Sequence, residues 1–415
     1  MNVYIWGTGL NGKKVLETID RDRNLVVGFI DNNPDKQGKE FENIPIISSR
    51  KILKEHDHII IAIVDYAAVL YQLKLEKYDK LDKVIVFYDE ACFEKAYAED
   101  ILNKDRWRIA LLEHKVRKLE RLLECRINNL GYEIIDAYQS GKYVFPHMAR
   151  TEEAVDKIIH ERCSLIRFGD GEFEIMAGKE RPVFQSYKQQ LGERLKEVIA
   201  AEDEGLLIAI ANNYGSLEQY PERGADGIRE YMTEDGVRDF HMSMLNRERK
   251  YYDAYMFKSY MSHRDKSLTE IRINLIKRIW NKRDIVIIEG DKTRTGYGNE
   301  LFDNVNSIKR VLGPTQNAFD VYDKMLEEAL KIDKNDLILM ALGPAGKVLA
   351  YDLVKAGYQV VDIGQIDMDY EWYKAGLGEK VPIPDKYVSQ LPPAEIQDID
   401  DVNYLRQIVS RVCVD

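Results

Sequence analysis

The sequence predicts an α/β protein in which a small N-terminal domain is joined by a helical linker to a larger domain with a mostly parallel sheet. Three observations predict this arrangement. The 415 residues exceed what a single domain usually contains. Short continuous apolar runs, typical of strands buried on both faces, alternate with helical patterns in both halves of the chain. Between the halves lies a stretch without Pro or Gly that follows a helical period.

Composition and charge narrow the class of protein. Hydrophobic residues make up 45% and charged residues 32%, as in ordinary globular proteins, and the net charge of −11 argues against a general nucleic-acid-binding surface. Cys92, Cys125, Cys163 and Cys413 form no Cys-x-x-Cys pair, which predicts reduced thiols rather than a zinc site or disulfides. The first residues do not match a signal peptide, and no apolar run approaches the ~20 residues of a membrane helix. We therefore expect a cytoplasmic protein without a transmembrane segment.

Residues 1–95 are expected to form the first domain. Its predicted elements are strands at 3–6, 25–30, 59–64 and 84–87 and a helix over 13–19. No dipeptide suited to a two-residue hairpin lies between these strands, so parallel pairing is expected.

A glycine pattern lies between the first strand and the first helix. The motif GTGLNG, residues 7–12, matches Gly-x-Gly-x-x-Gly, and Asp31 ends the next strand. Gly7, Gly9 and Gly12 would permit a tight turn close to a pyrophosphate, and Asp31 could accept a hydrogen bond from a ribose hydroxyl. The segment resembles the small Rossmann-like domains found beside sugar-modifying enzymes of bacterial surface-glycan pathways. Because no redox acid–base pair follows, we favour nucleotide binding without redox chemistry; a vestigial or interaction role and redox chemistry are the alternatives.

Residues 96–142 are predicted to form the helical linker. Apolar residues recur there at alternating spacings of three and four, at Ile109, Leu112, Val116, Leu119 and Leu123. The segment 104–126 is locally basic, with eight Lys or Arg against four Asp or Glu. One interpretation is a helix that packs on its neighbouring domain with a solvated basic face. The other is a short coiled coil that makes a homodimer. Contact of the basic face with an anionic membrane is a third.

Residues 143–415 are expected to form the larger domain. Strands are predicted at 206–211, 284–289, 308–312, 336–342 and 359–363, and helices at 268–280, 318–330, 345–356 and near 402–412. Glycine follows or ends four of these strands, at Gly290, Gly313, Gly343 and Gly364. Because ligands of open parallel sheets bind beyond the carboxyl ends of the strands, these glycines indicate one functional edge.

The strongest local motif is RFGDGE, residues 167–172, where a predicted strand runs into Asp170-x-Glu172. If the chain stays extended, both carboxylates face the same side and can hold one Mg²⁺ or Mn²⁺ ion that neutralises a diphosphate. Arg167 is a candidate contact of that diphosphate. The alternative is an Asp–Gly turn with two solvated acids.

Two further segments carry candidate site residues. Within residues 288–302 a predicted strand ends at Gly290, a glycine-rich loop follows, and a helix is expected to begin near Asn299. An anion at such a helix N-terminus would contact Arg294, Gly296 and Asn299, whereas the alternative is a charged surface loop. Beyond residue 363, Asp367 and Glu371 are candidates for the base that deprotonates an acceptor hydroxyl.

The order of these motifs carries a family resemblance over residues 150–380. The chain contains, in turn, RFGDGE, EGDKTRTGYGNELFDN, IKRVLGPTQNAFDVYDKML, ALGPAGKVLAYDL and GYQVVDIGQIDMDYEWY. This order resembles the GT-D-type glycosyltransferases, once catalogued as a domain of unknown function. Asp170 and Glu172 match the family's Asp-x-Glu. The family's usual histidine is replaced by Gln365, and its usual GPTA turn reads GPAG at residues 343–346.

The resemblance implies a metal-dependent glycosyltransferase. A sugar would move from a nucleoside-diphosphate-sugar, usually a UDP-sugar, to a glycan or glycoprotein acceptor in bacterial surface-glycan biosynthesis, with Mn²⁺ or Mg²⁺ as cofactor. Two other classes stay open on the residues: a nucleotide-binding partner subunit without catalysis, and a sugar-nucleotide oxidoreductase. The intact Asp-x-Glu argues against the first, and the absence of a redox acid–base pair argues against the second.

Overall fold

The computed structural model describes residues 1–51, 58–64, 66–89, 92, 101–130, 145–180, 185–388 and 396–413. These residues form two compact units, one chiefly Met1–Glu124 and the other chiefly Cys125–Gly378 with most of the C-terminal residues. The predicted domain limits at 95/96 and 142/143 lie outside the described residues. Within the described part of the chain, no helix is long and apolar enough to cross a membrane.

The first unit is built on a mostly parallel sheet. Among the described residues its strands are β1 (Asn2–Trp6), β2 (Leu25–Ile30), β3 (Glu40–Phe41), β4 (Ile44–Ile47), β5 (His58–Ile61) and β6 (Val84–Val86), in the order β3-β4-β2-β1-β5-β6. Helix α1 spans Leu10–Thr18 and α2 spans Ala67–Leu75. Along β1, Val3 and Ile5 enter one apolar core while Tyr4 and Trp6 enter the core on the opposite face. Burial on both faces explains why the strands read as continuous apolar runs.

A hairpin that the sequence analysis excluded is present in this unit. Strands β3 and β4 pair antiparallel, and Glu42 and Asn43 connect them with φ values of 51° and 63°. Two left-handed residues in a two-residue loop are the requirement of a type I′ turn. The prediction was wrong because it searched for Asn-Gly or Asp-Gly, whereas Glu42-Asn43 adopts this conformation without glycine.

The predicted linker helix is confirmed as α3 (Lys104–Leu130). Its indole at Trp107 donates to the carbonyl oxygen of Phe87 at 2.6 Å, and Trp107 and Ala110 join one core of the first unit. The packing interpretation is thus correct for one face of the helix. The residues with the alternating three-and-four spacing lie elsewhere on the helix and are 50–65% exposed.

The second unit contains a larger parallel sheet. Its described strands are β7 (His147–Met148), β8 (Ser164–Phe168), β9 (Leu206–Ile210), β10 (Lys250–Asp253), β11 (Asp284–Gly290), β12 (Ser307–Gly313), β13 (Leu337–Ala341), β14 (Val360–Asp362) and β15 (Ile408–Arg411). They are ordered β15-β12-β11-β13-β14-β8-β9-β10-β7, and all of these pairs are parallel. Apolar cores cover both faces.

Helices of the second unit cover these two faces. They are α4 (Thr151–His160), α5 (Asp170–Met176), α6 (Gln189–Ala200), α7 (Glu222–Met232), α8 (Val237–Met244), α9 (Thr269–Lys277), α10 (Tyr322–Ala329), α11 (Gly343–Lys355), α12 (Ile366–Lys374) and α13 (Val402–Gln407). Two predictions are wrong here. Residues 299–304 form turns rather than the start of a helix, and the helix predicted near 402–412 ends at Gln407, where β15 begins.

Candidate active site

The site is built where three adjacent parallel strands end. Strand β8 lies between β14 and β9, so the residues that follow these strands share one edge of the sheet. We call this edge the central rim; it consists of residues 363–365, 169–172 and 211–213. The amide of Ala211 donates to the carbonyl oxygen of Phe168 at 2.9 Å and extends the pairing into the rim. Ligand sites of parallel α/β sheets lie at such edges.

Asp170 and Glu172 occupy the first turn of α5 rather than extended chain. Gly169 is the N-terminal cap of this helix, and its amide donates to Oε2 of Glu172 at 2.8 Å. The expected geometry is therefore wrong, because positions two apart on a helix point to different sides. Asp170 is half-buried and accepts a 2.9 Å hydrogen bond from the amide of Asn213, whereas Glu172 is only 9% exposed.

A buried charge network lies beside Glu172. Asp362, at the end of β14, accepts from Lys347 Nζ at 2.8 Å, and the same Nζ is 3.7 Å from Oε1 of Glu172. Burial alone would raise the pKa of Asp362, but the charges of Arg167 and Lys347 and their hydrogen bonds outweigh it and lower this pKa below its usual value. The network therefore holds an ionised carboxylate beneath the rim.

Arg167 belongs to this network. Its guanidinium donates to the carbonyl oxygens of Ala254 at 2.9 Å and Asp362 at 2.8 Å, and it is also paired with the Asp362 carboxylate. A Cβ on Gly364, which has φ +50°, would lie 1.8 Å from an Arg167 nitrogen, so only glycine fits there. A direct diphosphate contact by Arg167 would require these internal bonds to break.

Arg294 and Gly296 shape a loop of the second unit. Arg294 is 4% exposed and donates to the carbonyl oxygens of Asp385 at 2.7 Å and Gln397 at 2.6 Å, which anchors the C-terminal part of the chain. Gly296 has φ +75°, and a Cβ there would lie 2.3 Å from the ring of Phe302. Both residues therefore have structural contacts that the sequence analysis did not foresee.

Three predicted residues come together in a second polar cluster. The Asn299 amide donates to Asp367 at 2.7 Å and to Glu371 at 2.6 Å. The buried Lys386 donates to the same two carboxylates, at 2.7 Å and 2.8 Å. Asp367 is 2% exposed, and burial raises its pKa although Lys386 and Asn299 oppose the shift. The Glu371 side chain is 21% exposed, so it is the more accessible of the two predicted bases.

A group of hydrogen-bonded polar and aromatic side chains near Asp170 was not predicted from the sequence. The Tyr255 hydroxyl donates to Asn213 at 2.9 Å, which fixes the amide that binds Asp170. His241 hydrogen-bonds to the hydroxyls of Tyr214 and Tyr231, and burial lowers its pKa to about 3, so it is neutral at physiological pH. The only signal in the sequence was the pair Asn212-Asn213 directly after a strand.

The glycine motif of the first unit has the expected local geometry. Gly7 has φ +114°, α1 begins directly after Gly9, and a Cβ on Gly12 would lie 2.1 Å from the Gly7 carbonyl oxygen. Asp31 accepts hydrogen bonds from the Thr8 hydroxyl and from Lys36 Nζ. The structure therefore brings Gly7, Gly9, Gly12 and Asp31 together, with Asp31 already bonded inside the unit.

Asp170 and Glu172 place two carboxylates at the rim, the type of ligand that a small divalent cation prefers. Within the described residues, no group of three or more His, Cys, Asp or Glu side chains could hold a metal by itself. Mg²⁺, however, is usually held by one or two carboxylates together with substrate phosphates. Both residues offer carboxylate oxygens of this kind; Oε2 of Glu172 accepts from the Gly169 amide, and its Oε1 lies 3.7 Å from Lys347 Nζ.

Comparison with solved structures defines the class of the second unit. One similar structure is described as showing that the domain of unknown function 1792 has a distinct glycosyltransferase fold. It is 31% identical to this chain, with a TM-score of 0.59, and the match covers 64% of this chain and 95% of that structure. A structure described as a new glycosyltransferase from Streptococcus sanguinis is 30% identical, with a TM-score of 0.59 over 65% of this chain and all of its own. The unit is thus a glycosyltransferase-type α/β domain.

The family follows from the family models. "Glycosyltransferase GT-D fold" matches residues 165–391, more than half of the chain, so the chain belongs to the GT-D glycosyltransferase family. "C2185-like, N-terminal" matches residues 1–87. The glycosyltransferase GlyD of Streptococcus pneumoniae is 35% identical to this chain over 263 residues. The probable glycosyl transferase Gly of Streptococcus gordonii is 32% identical over the same number of residues. Each match covers 63% of this chain. The chain spans only 32% and 38% of the lengths of these relatives.

Proposed function

We propose that this chain transfers a sugar from a nucleoside-diphosphate-sugar, specifically a UDP-sugar, to a hydroxyl of a glycan or glycoprotein acceptor. One observation supports this most: the half-buried Asp170 stands at the carboxyl end of β8, next to Glu172 and Lys347, in a chain of the GT-D family. A role in bacterial surface-glycan biosynthesis and a cytoplasmic location are parts of the same proposal.

Asp170 and Glu172 are proposed to hold Mn²⁺ or Mg²⁺ together with the donor diphosphate. Such an ion supplies positive charge to the departing nucleoside diphosphate. The Asn213 amide orients the Asp170 carboxylate, and the Gly169 amide orients that of Glu172. Lys347, which is paired with Asp362 at 2.8 Å, also lies 3.7 Å from Oε1 of Glu172 and helps to hold that side chain in place.

Glu371 is proposed as the base that takes the proton of the acceptor hydroxyl. Its carboxylate is partly accessible, and Asn299 and Lys386 fix its orientation through hydrogen bonds of 2.6 and 2.8 Å. Asp367, which shares both partners but is buried, is better placed to hold Lys386 and Asn299 than to reach an acceptor. General base catalysis of this kind requires such a fixed and reachable carboxylate.

The test is a donor panel assay that follows release of nucleoside diphosphate with Mn²⁺ present. Asp170→Ala and Glu172→Ala should each lower turnover by roughly 10²-fold or more, because each removes a ligand of the ion that stabilises the leaving nucleoside diphosphate. The double variant should be little worse than either single variant, since both act through one ion. Glu152→Ala, an exposed acid in the first turn of α4, is the matched control and should leave turnover unchanged.

Chelation separates the metal from the rest of the proposal. Removing divalent ions from the wild-type protein should cause a loss similar to Asp170→Ala, and Mn²⁺ should restore turnover. Near wild-type turnover in the chelated enzyme and in both variants would show that the transfer does not depend on a metal. No release from any donor in the wild-type protein would contradict the transfer itself and favour a non-catalytic subunit.

A further inference from the structure

Helix α3 presents an apolar face that is exposed in the described part of the chain. Five residues define this face, which we call the seam: Ile109, Leu112, Val116, Leu119 and Leu123. They are 57%, 51%, 50%, 65% and 61% exposed. Trp107, Ala110 and Leu111 lie on another face of the helix and are buried. The helix is therefore apolar on two sides, and among the described residues of its unit only one of these sides is covered.

We infer that the seam binds a second copy of this chain as a parallel two-stranded coiled coil. The 3,4,3,4 spacing places Ile109, Val116 and Leu123 at heptad position a and Leu112 and Leu119 at position d. β-Branched residues at a with Leu at d are the combination that favours two parallel strands. The seam extends over about 21 Å of helix, at 1.5 Å per residue.

The charges that flank the seam specify the orientation of the partner. In a parallel coiled coil, position g of one helix faces position e of its partner five residues further on. Arg108 at g would face Glu113 at e of the second copy, and Lys115 at g would face Glu120 at e. Both pairs are attractive. An antiparallel arrangement would instead set basic g positions against each other and acidic e positions against each other.

The structure also shows where the coiled coil ends. The next d position is Arg126, whose guanidinium is 2.7 Å from the Glu222 carboxylate of the same chain. A bonded arginine at a core position stops the heptad pattern, so the seam ends at Leu123.

The helix is ordered before it associates. Trp107 and Ala110 hold α3 against the core of the first unit, and the seam lies within that unit, which extends to Glu124. A short coiled coil made from unfolded segments would be marginal, because the cost of forming the helix opposes association. In this chain the helix forms when the unit folds, so association does not have to offset the cost of helix formation. A seam of barely two heptads can therefore hold the dimer together.

The test is the mass of the full chain in solution, measured by sedimentation equilibrium across a range of concentrations. The wild-type protein should be a dimer, and Leu112→Glu with Leu119→Glu should be a monomer, because four carboxylates would enter the interface. Both side chains are exposed in the single chain, so the circular dichroism spectrum should not change. Ile271→Glu with Leu405→Glu changes two exposed apolar residues elsewhere and should leave the dimer intact.

A charge exchange tests the parallel orientation. Lys115 and Glu120, which would face each other in the parallel arrangement, are the pair to change. Lys115→Glu would set two carboxylates against each other on both sides of the dimer and should raise the dimer Kd roughly ten-fold. Adding Glu120→Lys to the same chain should restore the original Kd, since the reversed pair is again attractive.

Three outcomes would overturn the inference. A monomeric wild-type chain at all concentrations excludes the second copy. A dimer that persists in the Leu112→Glu, Leu119→Glu variant assigns dimerisation to a different surface. A monomeric wild-type chain that sediments with vesicles of an anionic phospholipid, and is released by the seam variant, assigns the seam to a membrane surface. Failure of the sugar-transfer proposal would change none of these results, because the mass measurement uses no substrate.

Discussion

Two carboxylates at strand ends of the second unit have pKa values that are shifted in opposite directions. Asp362 is bonded to Lys347 and Arg167, and its pKa is lowered. Asp253, at the end of β10, accepts a backbone hydrogen bond from Tyr255 at 2.8 Å, yet burial raises its pKa to about 6. Asp253 is thus a charged group that the fold tolerates at a cost in stability.

The stability cost of Asp253 should depend on pH. A raised pKa in the folded state means that the favourable contribution is complete below the ordinary value of about 3.8 and is lost as pH rises through about 6. Asp253→Asn removes the ionisation but keeps an oxygen for the Tyr255 amide. Relative to the wild type, the variant should therefore gain up to roughly 3 kcal/mol of unfolding free energy between pH 4 and pH 7.

Urea unfolding at several pH values measures this difference. The variant Asp323→Asn, which changes an exposed acid of α10, is the matched control. If the Asp253→Asn curve runs parallel to the wild-type curve from pH 4 to pH 7, Asp253 does not titrate abnormally in the folded protein.

At this scale the sequence predicted where residues lie in the fold better than what they contact. Asp170 and Glu172 were located correctly at the end of a strand, because glycines and acids after an apolar run are visible locally. Arg167 was assigned to a ligand, whereas its partner Asp362 is 195 residues away in the chain. Local spacing contains no information on such partners.

At the scale of elements, residues 383–388 and 396–413 belong to the second unit. Lys386 lies 2.7 Å from Asp367 and 2.8 Å from Glu371, both on α12, and Arg294 bonds to the carbonyl oxygen of Asp385. The segment thereby supplies the positive charge that the two acids of α12 require. Strand β15 then pairs with β12 at the edge of the sheet.

Removal of the lysine should destabilise the second unit. Lys386→Met leaves the buried Asp367 without its cation, and breaking a buried ion pair on one side typically costs about 3–5 kcal/mol of unfolding free energy. Lys386→Met with Asp367→Asn removes the uncompensated charge and should recover a large part of this loss. Urea unfolding of the two variants and the wild type provides the comparison; equal stability of the single variant and wild type would contradict the role of Lys386.

Elements were predictable where their apolar pattern was strong. Of the nine strands predicted with bounds, eight were located to within one residue at each end, because strands buried on both faces are continuous apolar runs. The strand predicted at 59–64 ends at Ile61, and β3, β4, β7 and β10 were not predicted. The failures occur where the pattern is weak. Glu42-Asn43 forms a hairpin turn without glycine, residues 299–304 form turns where a helix was expected, and β15 alternates exposed and half-buried residues after a short helix.

At the scale of the whole molecule, the two units should have separable activities. The glycine motif of the first unit is coupled by local hydrogen bonds to Asp31, and the proposed transfer site lies entirely in the second unit. A Cβ on Gly9 would meet no atom within 4 Å, so Gly9→Asp should fold. Its carboxylate would repel a pyrophosphate at the start of α1.

Gly9→Asp should therefore abolish binding of a nucleotide by the first unit and leave sugar transfer within a few-fold of the wild type. Equilibrium dialysis with labelled nucleotides tests the binding, and the donor panel assay tests the transfer. Loss of transfer in a folded Gly9→Asp protein would show that the two units act together.

The charge network under the central rim also implies an order of assembly. Arg167 on β8 and Asp362 on β14 are neighbours in the sheet but 195 positions apart in the chain. Burying either charge before the other arrives would leave it without a partner in a low-dielectric interior, which is strongly unfavourable. A nascent chain therefore cannot complete the rim until β14 has been synthesised and has docked, and contacts over such a separation form slowly. The proposed active site is accordingly among the last parts of its unit to mature.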